Sequence, residues 1–150
     1  MIRKFYLFFF IIITSSGCGF SPIFSGVTDF QIKELKLEGD SSLNNFINMN
    51  LSRYSNLEKD TKYNIFVKTK YEKIILSKSA TGSPTDYELI AIVNFEVKTT
   101  DGSIKTFNYE KKFNMESMTS KFEEKKFEKI QKQNFADIIS NEFINDLSNI

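Results

Sequence analysis

The chain has 150 residues, of which 41% are hydrophobic and 26% are charged, a balance typical of one ordinary globular domain. Its formal net charge is only +1, so no broad positive potential attracts nucleic acid, and we expect no nucleic-acid partner. The sequence contains no histidine and a single cysteine, which excludes a zinc site built from thiolate and imidazole ligands and an internal disulfide. We therefore expect neither a metal nor a cofactor.

The first 17 residues have the layout of a signal peptide. Arg3 and Lys4 form a short positive region, and an apolar run from Phe5 to Ile13 follows it. This run is too short for a membrane-spanning helix, which needs about 20 residues. The sequence therefore predicts export and removal of residues 1–17, and the alternative interpretation is an N-terminal core helix.

The residues just before Cys18 resemble the lipobox of bacterial lipoproteins. Ser16 and Gly17 fit that pattern, whereas Ser15 stands where the family usually has Leu. The resemblance implies acylation of Cys18 and a lipid anchor, to which each buried CH₂ contributes about 0.8 kcal/mol. Gly19 differs from the Asp that resembles an inner-membrane retention signal, so we expect the outer membrane. The alternative for Cys18 is a free buried thiol.

Residues 18–29 contain Pro22 and Gly26 and predict an acylated tether, and a single domain is expected over residues 30–150. A first strand is predicted over residues 31–37, with a bulge where the apolar phase shifts. Helical spacing then predicts a first helix. Its apolar positions are Leu43, Phe46, Ile47, Leu51, Tyr54 and Leu57.

Three alternating runs predict three further strands. The first starts at Tyr63 and ends in a polar break over residues 77–85. The other two are joined by an Asp101-Gly102 turn, so we expect them to form an antiparallel hairpin. Polar side chains predicted on the solvent face are Lys68, Lys70, Glu88, Asn94, Glu96 and Lys98.

A long final helix is predicted after Ser120, which with Glu123 fits a capping box. Its first half, Lys121 to Lys132, holds five Lys and three Glu and favours a solvated face over a binding site. Its second half predicts an apolar stripe of Phe135, Ile138, Ile139, Phe143 and Leu147. The order β-α-β-β-β-α predicts an α+β two-layer sandwich, an antiparallel four-stranded sheet with two helices on one face.

The sequence offers no motif for catalysis. It contains no G-x-S-x-G, no P-loop and no G-x-G-x-x-G pattern, so we expect that the chain is not an enzyme and has no catalytic residues. A Ser and Lys pair is the one arrangement that the residue types leave open.

The start of the predicted mature chain resembles the LptE family of lipopolysaccharide-assembly lipoproteins. Cys18-Gly19-Phe20, followed by Pro22-Ile23-Phe24, is similar to the family's acylated Cys, Gly-Phe, Pro, aliphatic and aromatic order. A polar loop through Gly82 into Asp86-Tyr87-Glu88-Leu89 is similar to the family's central strand. The order of the elements also agrees with the family.

This resemblance implies an outer-membrane lipoprotein that plugs and helps assemble the LptD β-barrel and assists lipopolysaccharide delivery to the cell surface. The polar solvent face of the sheet is compatible with a polar barrel lumen. The family's lipopolysaccharide-binding basic residues lie near strand ends, and the candidates here are Lys70, Lys73 and Lys78, whose ammonium groups suit phosphates. The alternative is a free-standing periplasmic lipoprotein that binds a small ligand or another envelope complex.

Overall fold

The computed structural model describes residues 29–149, and its first strand begins at Phe30. The sheet has the order β1-β2-β3-β4. Its strands are β1 (Phe30–Gly39), β2 (Thr61–Lys78), β3 (Pro84–Lys98) and β4 (Ile104–Glu116). The helices are α1 (Ser41–Leu51) and α2 (Lys121–Ser148), with a short 3₁₀ turn over Ser52–Tyr54.

The sheet is mixed. β2, β3 and β4 are antiparallel neighbours, joined by two hairpins, whereas β1 pairs in parallel with β2. The predicted α+β class, element order and two-layer arrangement are confirmed, but an antiparallel pairing for β1 is wrong. The reason is the connection: α1 carries the chain back along the sheet to the end where β1 began, so β2 must run in the same direction as β1.

β1 contains the predicted bulge and ends at a glycine. The register with β2 shifts between Ile32 and Glu34, so that Ile32 and Leu35 both point toward the helices. Gly39 has φ of +111°, and a Cβ there would lie 1.8 Å from the carbonyl oxygen of Thr69. A residue with a side chain does not fit this turn, which lifts the chain off the sheet and into α1.

β1 covers only part of its neighbour. Its last pair joins Gly39 to Thr69, while β2 continues to Lys78. We call Thr61–Thr69 the paired half of β2 and Lys70–Lys78 its free half. The free half has β3 on one side and, within the described residues, no strand on the other.

The core lies between the helices and the odd-numbered side chains of β2, β3 and β4. Phe95 of β3 stacks on Phe143 of α2 with ring centroids 3.9 Å apart. The predicted stripe on α2 is confirmed except at Ile138, which is 46% exposed. Successive helix residues point about 100° apart, so the burial of Ile139 turns Ile138 toward solvent.

Each helix begins directly after a residue whose side chain caps it. Asp40 caps α1 by accepting a 2.8 Å hydrogen bond from the Leu43 amide, and Ser120 caps α2 by accepting one from the Glu123 amide at 3.4 Å. α1 ends at Leu51, earlier than predicted. Tyr54 lies in the 3₁₀ turn, and Leu57 lies beyond it.

Candidate functional site

The predicted lipidation residue Cys18 lies outside the described residues. The same holds for the signal peptide of residues 1–17 and for residues 18–28 of the tether. The signal peptide, the acylation and the outer-membrane destination therefore stay predictions from the sequence.

The structure does not bring the three candidate lysines together. Lys70 and Lys73 lie on opposite faces of the free half of β2, and Lys78 is its last residue. Lys70 is exposed on the face away from the helices, where it contacts the Glu72 carboxylate at 2.6 Å. Lys78 is also exposed. These two lysines remain accessible to an anionic ligand.

Lys73 is held between the sheet and α2. Its ammonium donates to Glu124 at 2.9 Å and to Glu128 at 3.2 Å, and it lies 4.3 Å from the centre of the Tyr87 ring. Burial by itself lowers the pKa of Lys73, but the hydrogen bonds to the two carboxylates outweigh it and raise that pKa above its usual value. Lys73 is therefore a charged residue that joins β2 to α2.

Glu124 is the centre of this ion network, although it lies in the half of α2 predicted as a solvated face. It is only 5% exposed. Burial alone raises its pKa, but hydrogen bonds from Lys73, Lys121 and the Met118 amide prevail and lower it to about 2. The prediction for Lys121 to Lys132 is thus wrong on the side of the helix that faces the free half of β2.

A second ion pair holds α2 in place near the point where β1 ends. The ammonium of Lys132 lies 3.0 Å from the Asp40 carboxylate and 3.8 Å from the centre of the Tyr71 ring. Asp40 is partly buried, and burial by itself raises its pKa. The hydrogen bonds from the Leu43 amide and from Lys132 outweigh this effect, so the pKa of Asp40 lies below its usual value. This ion pair therefore joins α2 to the start of α1, next to Tyr71 in the free half of β2.

The other face of the sheet is not covered by any element among residues 29–149. Both helices pack on the opposite face, and the predicted polar residues Lys68, Lys70, Glu88, Asn94, Glu96 and Lys98 line this one. Two isoleucines of β3 interrupt the polar surface: Ile90 lies opposite Glu72, and Ile92 lies opposite Lys70. We call this uncovered surface the open face.

Ion pairs flank the two isoleucines on both sides. The flanking pairs are Lys70 with Glu72 on β2 at 2.6 Å and Glu110 with Lys112 on β4 at 2.9 Å. Ile90 is 6% exposed although neither α1 nor α2 covers it. The open face is therefore mainly polar, but it also carries apolar side chains: Ile90 and Ile92 on β3, Ile74 on β2 and Ile104 at the start of β4, the last two 43% and 59% exposed.

Surface depressions on the open face are shallow and partly charged. One of about 340 Å³ lies at the end of β1, where Gly39, Lys68, Lys70 and Ile92 line it. Another of about 240 Å³ lies beside Lys36, Phe66, Glu96 and Lys98. Such surfaces suit a broad contact with a polar partner better than the enclosure of a small apolar ligand.

Sequence reasoning missed two features of this region, the free half of β2 and the role of Lys73. The alternation Tyr63, Ile65, Val67, Thr69, Tyr71 continues to Lys73 with the same period, which could have placed Lys73 on the covered face. The length of the free half had no comparable signal, because it depends on where β1 stops.

The fold is similar to several solved bacterial lipoproteins. Rare lipoprotein B from Shewanella oneidensis matches with 20% identity and a TM-score of 0.56, covering 77% of this chain and 97% of that one. A minor lipoprotein from Acinetobacter baumannii matches with 14% identity and a TM-score of 0.58, covering 82% and 92%. An uncharacterized lipoprotein B from Nitrosomonas europaea matches with 12% identity and a TM-score of 0.56, covering 82% and 87%.

At these identities the likeness shows a common fold. No protein-family model matches the sequence, and no curated protein matches it either. Among residues 29–149, neither helix combines the length and the apolar character needed to cross a membrane.

Proposed function

We propose that this chain is an outer-membrane lipoprotein that plugs and helps assemble an LptD-type β-barrel and assists the delivery of lipopolysaccharide to the cell surface. The observation that carries the proposal is the open face. A domain that covers one face of its sheet with two helices and leaves the other polar can rest that face against the polar wall of a barrel lumen.

Two further findings support this function. The sequence from Cys18 to Phe24 resembles the start of mature LptE lipoproteins, and the described domain shares its fold with structures named as lipoproteins. The alternative is a free-standing periplasmic lipoprotein that binds a small ligand or another envelope complex. Its small-ligand form has less support because the depressions on the open face are shallow and partly charged.

The test is copurification of the full chain with a large barrel from detergent-extracted membranes of its own organism. We expect a stable complex for the native chain and its loss in Asn94→Trp, because Asn94 is exposed between Lys68 and Asn108 in the middle of the open face. The matched control is Asn56→Trp, an exposed residue outside the sheet. A native chain that purifies without a barrel would contradict the proposal.

A separate experiment addresses lipopolysaccharide. Lys70 and Lys78 are accessible, whereas Lys73 holds β2 to α2, so charge reversal of all three would confuse binding with folding. We therefore expect the double variant Lys70→Glu, Lys78→Glu to weaken binding of labelled lipopolysaccharide to the full chain in detergent. The control pair is Lys62→Glu, Lys105→Glu, which changes the net charge equally at exposed sites. Equal binding by both double variants would remove these lysines from the site.

A further inference from the structure

The outward side of the first half of α2 exposes two large apolar side chains. Phe122 is 73% exposed, and Ile130 is 47% exposed. The two residues are eight positions apart, which places them about 12 Å apart along the axis and on the same side of the helix. The helix buries Glu124 and Phe135 on its opposite side, so this surface faces away from the sheet.

Lysines surround the two apolar residues. Lys126 lies between them on the same helix stripe, four residues from each, and Lys125 and Lys129 follow along one margin. All three are exposed. Glu123 is the exposed carboxylate on the other margin, whereas Glu124 and Glu128 turn inward to Lys73. The outward surface from Phe122 to Ile130 thus combines positive charge with apolar side chains.

A lipid anchor would keep this surface near a membrane. Residues 19–29 separate Cys18 from the first residue of β1, and a chain of this length spans at most about 40 Å. The folded domain of an acylated chain therefore stays within reach of the lipid headgroups.

We propose that the surface from Phe122 to Ile130 lies against the anionic phospholipid of the membrane that holds the anchor. This proposal rests on the lipid anchor of the proposed function and concerns the anchored chain before it enters a barrel, because a barrel wall would separate this surface from the lipid. Phe122 and Ile130 enter the boundary between headgroups and acyl chains, and Lys125, Lys126 and Lys129 pair with lipid phosphates. The contact fixes the orientation of the domain on the membrane.

The absence of tryptophan from the chain provides a direct test. The full acylated chain carrying Phe122→Trp is reconstituted into vesicles of phosphatidylcholine with phosphatidylglycerol. We expect its emission to shift to the blue and to be quenched by brominated lipids. The double change Lys126→Glu, Lys129→Glu should abolish both the blue shift and the quenching. Each lysine lost near an anionic surface lowers the equilibrium constant for the membrane contact about fivefold.

The matched control is Ile104→Trp, which replaces an apolar residue with 59% exposure at the start of β4. Its emission should remain that of a tryptophan in water. Flotation of the vesicles separates the two possible failures. A chain that does not float with them overturns the anchor and this proposal together, whereas a floating chain with an unquenched tryptophan at position 122 overturns the membrane contact alone.

Discussion

The two halves of β2 are covered in different ways. The paired half has β1 beside it and contributes Tyr63, Ile65 and Val67 to the apolar core. The free half has no strand on its outer side within the described residues, and α2 holds it through Lys73 and its carboxylate partners. One strand is thus stabilised by apolar burial at one end and by partly buried charge at the other.

This difference has a physical consequence. Apolar burial is non-directional and changes little with pH, whereas a buried ion network depends on geometry and on the charge of each member. We therefore expect substitutions in the two regions to lower the free energy of unfolding by different amounts, and we expect only those in the ion network to depend on pH.

The largest effect should come from the apolar region. Phe143→Ala removes the ring that stacks on Phe95 and leaves a cavity in the core. We expect the free energy of unfolding to fall by about 3–5 kcal/mol, as measured by urea denaturation of the mature chain. Phe122→Ala, at an exposed site on the same helix, should change it by less than about 0.5 kcal/mol. A similar loss in both variants would show that α2 is not packed as described.

A smaller loss is expected from the ion network. Glu124→Gln keeps the shape of the side chain but removes one of the two carboxylates paired with the ammonium of Lys73, which leaves Glu128 as its charged partner. We expect a loss of about 2 kcal/mol in the free energy of unfolding. Glu123→Gln, one residue away and exposed, serves as the control. If both variants unfold at the same urea concentration, the network does not stabilise the free half.

The difference in the free energy of unfolding between the native chain and Glu124→Gln should depend on pH. The pKa of Glu124 falls from 4.5 to about 2 on folding, so the folded state favours the carboxylate. The contribution of the Glu124 carboxylate to the free energy of unfolding is complete above about pH 4.5 and is lost as the pH falls toward 2. Urea denaturation at pH 6, 4 and 2.5 should therefore show the two chains converging. A gap that stays constant across this range would contradict the lowered pKa.

The smallest effect is expected at the start of α2. Ser120→Ala removes the acceptor for the Glu123 amide and should cost about 1 kcal/mol. Thermal unfolding followed by circular dichroism would measure it. Ser41→Ala, at the exposed first residue of α1 where Asp40 is the cap, should have a smaller effect. The reverse order would mean that Ser120 does not cap the helix.

Local signals made most of the fold predictable. Alternation placed the side chains of β2 and β3 on the correct faces, the Asp101-Gly102 turn marked the hairpin, and Ser120 marked the start of α2. Each of these features depends on residues close together in the sequence.

The features that the sequence did not reveal depend on distant residues. The parallel pairing of β1 is set by how far α1 carries the chain back, and the pairing of Lys73 with Glu124 joins residues 51 positions apart. Lys70, Lys73 and Lys78 look equivalent as a charge pattern, and only the alternation that continues from Tyr71 to Lys73 could have distinguished Lys73 from the other two. The acylation of Cys18 and the partners of the chain remain predictions.

The parallel pairing of β1 also bears on the order of folding. β2, β3 and β4 join through short turns, whereas β1 can pair only after the connection from Asp40 to Asp60 has closed. Contacts between neighbouring strands form before those that close longer loops, so we expect β1 to dock late. Until then the whole outer edge of β2, from Thr61 to Lys78, is open to pairing with another chain. Gly39 and Asp40, which end β1 and start α1, thus help to shorten the period in which a newly made chain is prone to aggregate.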